Sequence, residues 1–273
     1  MNEIVNNASN LFEPEYVDGA PSSPPEYVIL LSMDRAYFHK FARRMLLSLQ
    51  QKMADDDWMV HVHVVNPDQE CLQAADELRQ AEVPLVMSWD YPLLPKQMAS
   101  ETETIEHRTL YACRRIQLWP WALENYKCPV WIVDCDMEAV RPLPAVDMGT
   151  DAGFIRFSSA LMPLYQEFFL SSGYIRPTHE GIRFARAMAA YIQHYLDQRL
   201  WVWSLDQVAI YCVSAWLEEI GLPFRYFPLS PSMIYTKNWS ESHAEASSPD
   251  DQRVVFVNQV GSSDVSARRA RII

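Results

Sequence analysis

From Tyr27 onward, short apolar runs alternate with stretches in which apolar residues recur at helical spacing. Residues 27–32 (Tyr-Val-Ile-Leu-Leu-Ser) are almost continuously apolar, predicting a strand buried on both faces. Residues 38–52 place Phe41, Met45, Leu46 and Leu49 on one helical face. An acidic break at residues 55–57 precedes a second strand, 58–65, which Asn66 and Pro67 end. Cys71, Leu72, Ala75 and Leu78 then mark a helix over 68–80, and 83–89 reads as a third strand. Residues 90–103 are irregular, polar and proline-containing, the pattern of a flap; 104–126 reads as a helix broken near Pro120. Residues 130–133 (Val-Trp-Ile-Val) form the fourth strand. This βαβαβ–α–β order predicts a parallel sheet with right-handed crossovers.

The second half is less regular. Strands are expected at 151–157, 170–175, 224–228 and 254–258, helices at 178–199 and 205–220, and a polar loop at 240–252. Residues 1–26, with Pro21, Pro24 and Pro25 and no periodicity, read as a poorly ordered or peripheral arm whose Leu11, Phe12, Tyr16 and Val17 could dock. Residues 27–273 then read as one domain, more regular over 27–140 and less regular over 141–273.

Composition narrows the class. At 273 residues, 49% of them hydrophobic, the chain can bury a sizeable core. No apolar run is long enough to cross a bilayer, and the first residues lack a secretory pattern. The five cysteines have no paired spacing and fit reduced thiols in a cytoplasmic setting better than a disulfide framework. A formal charge of −12 argues against general electrostatic affinity for nucleic acid or anionic lipid. With 7 glycines in the chain, neither a dinucleotide fingerprint nor a Walker loop is present.

The most informative chemistry lies where the fourth strand ends. Asp134 and Asp136 are separated by Cys135. If the chain stays extended, both carboxylates project together from the strand's C-terminal end, where open α/β sheets bind ligands. Two adjacent anions call for a cation, and hard oxygen ligands suit Mg²⁺ or Mn²⁺ shared with substrate phosphates. A solvated turn or a helix cap is the plainer reading of the same residues.

Several motifs, taken in order, resemble the GT-A nucleotide-sugar glycosyltransferases, most of all the retaining glycogenin and lipopolysaccharide-galactosyltransferase group. They are Asp34-Arg-Ala-Tyr37 after the first strand, Tyr111-Ala-Cys-Arg-Arg115-Ile-Gln-Leu118, and Asp134-Cys-Asp136. Phe169-Leu-Ser171-Ser172-Gly173, Trp203-Ser-Leu-Asp206-Gln207 and Phe256-Val-Asn258-Gln-Val-Gly261 follow. The resemblance covers most of the chain after the arm and implies a GT-A, Rossmann-like α/β fold: a mostly parallel central sheet flanked by helices, with a small C-terminal region for the acceptor and for closing over the metal. It implies a nucleotide-binding half (27–140) and a half for donor sugar and acceptor (141–273). It implies nucleotide and donor contacts from Ser32, Asp34, Tyr37, Arg115, Asp134, Cys135, Ser171, Ser172, Gly173 and Gly261. Arg114 competes with Arg115 for the place near the diphosphate. Metal ligation is implied for Asp134, Asp136 and Asn258, the last standing where the family has histidine. Asp206 and Gln207 take the places beside the reacting sugar, although Ser204 and Gln207 also read as a capping box.

Departures from the pattern are Ala36 and Ser171 in place of asparagines, and the absence of Lys-Pro-Trp after Gly261. Arg268, Arg269 and Arg271 are candidates to supply the missing positive charge. The function implied is metal-dependent transfer, with retention, from a nucleoside diphosphate sugar, expected to be a UDP-sugar, to an acceptor that could be a glycan, a protein or a small molecule. Nucleic acid is a minor acceptor option. The rivals are a catalytically impaired nucleotide-sugar-binding protein on the same scaffold, and a nucleotidyltransferase.

Overall fold

The computed structural model describes residues 1–6, 11–19, 21, 23–92, 105–157, 167–202, 204–222, 224–235 and 250–258. Two short elements lie in the arm, α1 (Asn2–Asn6) and β1 (Tyr16–Asp18). The first half continues with β2 (Tyr27–Asp34), α2 (Arg35–Tyr37), a π-helical turn (Phe38–Ala42), α3 (Arg43–Lys52), β3 (Trp58–Val65), α4 (Gln69–Gln80), β4 (Leu85–Asp90), α5 (Ile105–Tyr126), β5 (Val130–Val133) and β6 (Met137–Ala139). The second half contributes β7 (Ala152–Arg156), β8 (Phe168–Ile175), α6 (His179–Asp197), α7 (Leu205–Glu219), β9 (Tyr226–Leu229), β10 (Ile234–Tyr235) and β11 (Phe256–Asn258).

The main sheet has the order β1-β4-β3-β2-β5-β8-β7-β9. Strands β4, β3, β2 and β5 are parallel, as the alternating pattern predicts; β8 runs antiparallel to both β5 and β7. A second, three-stranded sheet has the order β10-β11-β6. Alternate residues of the buried strands serve opposite faces. Ile29, Leu31, Val60, Val62 and Val64 join a core with α3, α4 and the small sheet, whereas Val28, Leu30, Val130 and Ile132 join one with α5, α6 and α7. The sheet is thus covered by helices on both sides. Among the described residues no helix is long and apolar enough to cross a membrane, and all five cysteines are free thiols.

Several boundaries differ from the sequence reading for physical reasons. Helix starts at Arg35, ahead of Phe38, because the Asp34 side chain accepts the Tyr37 N–H at 2.8 Å and caps it. Helix α5 runs through Pro120 without a break. Proline in a helix interior costs about 3 kcal/mol, but the neighbouring Ile116, Leu118, Trp119, Ala122 and Leu123 are all fully buried, and that packing decides. The arm is peripheral and attached: β1 pairs antiparallel with the outer edge of β4, Tyr16 stacks on Trp89, and α1 packs on α6. Residues 93–103 of the flap expected over 90–103, residues 240–249 of the loop expected over 240–252, and the basic tail lie outside the described residues; Asp90 itself ends β4.

Two glycines set how closely β7 and β8 approach. A Cβ on Gly153 would lie 2.2 Å from Cε1 of Tyr174, and one on Gly173 would lie 2.9 Å from Cδ1 of Phe154. Tyr174 is fully buried and packs on Trp131 at 4.8 Å between ring centroids, so it has nowhere to retreat. Gly153→Ala should therefore destabilise the fold by about 1–3 kcal/mol, the usual cost of overpacking, read as a lower urea midpoint with unchanged slope. A midpoint equal to that of the parent would mean that Tyr174 can move.

Candidate functional site

The site is assembled at the C-terminal end of β5. Because β5 pairs antiparallel with β8, with Val133 opposite Ser172, the chain leaving β5 runs beside Ser171. The Asp134 N–H donates to the Ser171 carbonyl at 2.9 Å. The extended conformation does not persist: Cys135 and Asp136 form a turn leading into β6. The expected alternation of the two carboxylates therefore fails, because a turn has no period of two. Cys135 points into the core beside β6, where burial, with Asp136 and Asp134 close by, pushes its thiol well above the ordinary range.

A cavity of about 120 Å³ opens at this point, lined among others by Thr109, Arg115, Asp134, Ser171, Asp206 and Gln207. Helix α5 brings Arg115, β8 brings Ser171, and the start of α7 brings Asp206 and Gln207. Arg115 is the centre of this group. One Nη of its guanidinium is bonded to Asp134 Oδ1, and the other lies 3.5 Å from Asp206 Oδ2. Burial disfavours the Arg115 cation, but the Asp134 and Asp206 carboxylates outweigh it and raise its pKa. Burial also raises the Asp206 carboxyl; Arg115 opposes that rise and the Asp134 charge adds to it. The Nε of Arg115 and the hydroxyls of Ser171 and Ser172 are buried with no hydrogen-bond partner. Buried polar atoms are ordinarily paired, so a pocket lined by Arg115 and Ser171 is suited to a polar ligand.

Other expected site residues fall outside the cavity lining. Asp34 and Tyr37 start the helix after β2, and Tyr37 packs against Phe41 at 5.1 Å between ring centroids. Ser32 is buried on β2, with its hydroxyl also unpartnered. Ser172 is fully buried, and the side of Gly173 that lacks a Cβ faces β7. Asn258 stands opposite Met137 in the β11–β6 ladder, one residue from Asp136. No third His, Cys, Asp or Glu converges on Asp134 and Asp136 among the described residues. Gly261 lies outside those residues, as do Trp203, Arg268, Arg269 and Arg271. The capping box is not formed. Ser204 takes a left-handed conformation (φ 70°) with no side-chain cap, and Asp206 Oδ1 instead accepts the Gln207 N–H at 2.9 Å.

Sequence reading missed a buried polar chain that holds α5 in place. Arg114 Nη2 donates to Asp90 Oδ2 at 2.7 Å, and Asp90 Oδ1 is 3.0 Å from His63 Nε2. Ser88 Oγ lies 2.8 Å from His63 Nδ1 and 2.6 Å from His61 Nε2, and the Tyr126 hydroxyl lies 2.8 Å from His61 Nδ1. Neutral histidines satisfy every link. Tyr126 donates to His61, His61 Nε2–H to Ser88, Ser88 to His63, and His63 Nε2–H to Asp90. The chain is anchored at both ends on α5, and the Phe12 ring of the arm covers Arg114, 3.9 Å from its Cζ. Arg114 is thereby committed to the sheet and Arg115 to the cavity. The sequence signal was the pair His61 and His63, polar residues at alternate positions of an otherwise apolar strand.

No protein-family model matches the sequence, and no curated protein does. Solved structures do. A galactosyltransferase, LgtC, in complex with donor and acceptor sugar analogs superposes with a TM-score of 0.56 at 14% identity, covering 86% of this chain and 87% of that one. An active-site mutant of LgtC, glutamine to glutamate, gives 0.55 at 13%, over 86% and 87%. The apo bifunctional glycosyltransferase WbbM gives 0.52 at 11%, covering 90% of this chain and 47% of that larger one. With the parallel β4-β3-β2-β5 core and the antiparallel β8 in place, these similarities show that the chain has the GT-A fold of nucleotide-sugar glycosyltransferases.

Proposed function

We propose that this protein is a glycosyltransferase that moves a sugar from a nucleoside diphosphate sugar, a UDP-sugar by resemblance, to an acceptor. The observation that carries this reading is the convergence of Arg115, Asp134, Ser171, Asp206 and Gln207 on one cavity beyond the C-terminal end of β5, in a fold shared with glycosyltransferases.

The residues present fit a divalent metal. Asp134, Asp136 and Asn258 are oxygen donors, few enough to leave coordination places for phosphates and water, as Mg²⁺ and Mn²⁺ require. Asp134 already faces one cation, the Arg115 guanidinium, so its position suits positive charge. A cavity with Asp134 and Asp206 on its wall would repel a diphosphate if Arg115 were its sole cation. A bound divalent ion would supply the remaining positive charge and stabilise the leaving diphosphate.

The chain's own groups supply the rest. Arg115 adds charge neutralisation on the phosphate side. Asp206 and Gln207, fixed at the start of α7, and the unpartnered Ser171 hydroxyl orient the donor sugar by hydrogen bonds. Retention of configuration rests on the family resemblance alone.

Asp134→Ala and Asp136→Ala should each lower donor hydrolysis and transfer at least about a hundredfold, the usual effect of removing a group that stabilises developing charge. The measurement is release of nucleoside diphosphate from a panel of nucleotide sugars with and without Mn²⁺. Parent-like turnover by the double variant would sink the proposal. Release of pyrophosphate would select a nucleotidyltransferase, and thermal stabilisation by the sugar nucleotide without turnover would select a binding protein.

A further inference from the structure

A second constellation lies on the opposite face of the sheet from α5, where the π-helical turn after α2 meets the start of α4. His39 projects from the turn. Asp68 caps α4, and Cys71 sits in its first turn. His39 Nε2 is 3.1 Å from both carboxylate oxygens of Asp68 and 3.5 Å from the Cys71 sulfur. The ligand atoms all lie within 4.8 Å of one another.

The same imidazole nitrogen faces the carboxylate and the thiol. A Cys-His-Asp relay would need the two partners on opposite ring nitrogens, so this is not nucleophile geometry. Burial also pushes the Cys71 thiol up to about 12, far from a free thiolate at neutral pH. The Asp68 carboxylate, which also accepts the Cys71 N–H at 2.9 Å, is held beside the imidazole and the thiol, and an ion between the three groups would bond all of them at once. With Zn–S about 2.3 Å and Zn–N and Zn–O about 2.0–2.2 Å, a tetrahedral angle sets the N···S edge near 3.6 Å and the N···O edge near 3.4 Å. The observed separations are within about 0.3 Å of those edges. His39 and Asp68 have side chains 37% and 35% exposed, leaving a solvent side for a water as fourth ligand.

We propose that His39, Asp68 and Cys71 bind a thiophilic divalent ion such as Zn²⁺, clipping the π-helical turn (Phe38–Ala42) to α4. On binding, the sulfur–metal bond replaces the S–H bond and the proton leaves to solvent. The site is independent of the transferase reading, since Asp134 and Asp136 offer oxygen alone.

The test is titration of the metal-stripped full chain with Co²⁺, which gives a thiolate-to-cobalt charge-transfer absorption only where sulfur is a ligand. One equivalent should produce the band and Zn²⁺ should abolish it. Cys71→Ser should lack the band, and His39→Ala, at a half-exposed position, should bind at least tenfold more weakly. Asp134→Ala should keep the band intact whatever becomes of sugar transfer. Absence of the band in the folded parent overturns the proposal. Its survival in Cys71→Ser does so as well, as does unchanged affinity in His39→Ala, a variant that tests the site even if Cys71→Ser fails to fold.

Discussion

Arg115→Ala is expected to be the most damaging single substitution near the cavity, in both activity and stability. It removes the cation bonded to Asp134 and facing Asp206, and Arg115 itself is 6% exposed. Breaking a buried ion pair by deleting one partner costs about 3–5 kcal/mol, since the remaining charge stays buried without compensation. Asp134 is one-third exposed, so water relieves part of that cost and the lower end of the range, about 3 kcal/mol, is expected. Donor hydrolysis should fall by about 10²–10³-fold, as for loss of a preorganised group stabilising developing charge. Arg115→Lys separates the two effects. A single ammonium keeps the charge, and so most of the stability, but cannot span two carboxylates, so turnover stays low. Urea unfolding and nucleotide-release assays on both variants measure this. Full stability together with full turnover in Arg115→Ala would remove Arg115 from the site.

The second large effect is on acid stability. Burial is the main influence on both histidines of the α5 latch. It lowers His61 to about 3 and also lowers His63, the latter partly opposed by Asp90. In the unfolded chain both titrate near 6.5, so between pH 6.5 and about 3 the unfolded state binds more protons than the folded state. Stability is then complete above about pH 6.5 and falls with pH below it. His61 alone accounts for about 2 kcal/mol by pH 5 at roughly 1.4 kcal/mol per pH unit, and His63 adds in the same direction. Burial works against the Asp90 carboxylate, but its His63 and Arg114 bonds outweigh burial and hold its pKa below the ordinary value. That contribution is lost only below about pH 4. A series of urea midpoints from pH 8 to pH 4.5 should show this slope, and His61→Asn, which has no proton to gain, should flatten it. A profile identical in the two proteins would mean that His61 is already charged in the fold.

What the sequence made legible follows from the range of the interactions concerned. Buried strands β2 and β5 were visible because their residues, flanked by helices on both faces, form nearly unbroken apolar runs, and β3 was visible by its alternation, into which His61 and His63 fall. Helix α5 was visible too, except for its continuity through Pro120, which depends on burial of Trp119 and Leu123 by other elements. That Asp134 and Asp136 follow β5 could be read from the sequence, but their orientation could not. A turn at Cys135 and Asp136 replaces the strand period, and Arg115, distant in sequence, decides what Asp134 faces. Motif register favoured Arg115 with Arg114 a close competitor, and only the position of β4 shows which side of α5 meets Asp90. Two contacts made by the arm, Phe12 on Arg114 and Tyr16 on Trp89, join residues far apart along the chain, so the sequence could name docking residues in a poorly ordered or peripheral arm but not their partners.

The strand in that arm has a wider consequence. A parallel sheet whose outer strand is left bare is a template on which any extended peptide, including another copy of the same chain, can add itself. Here the protein supplies its own added strand: β1 lies along β4, and Arg79 of α4 clamps Asp18 at 2.9 Å. The first residues therefore act as a built-in competitor for that edge. Whatever displaces them uncovers an adhesive border and, at the same time, lifts Phe12 from the arginine next to the one that faces the cavity.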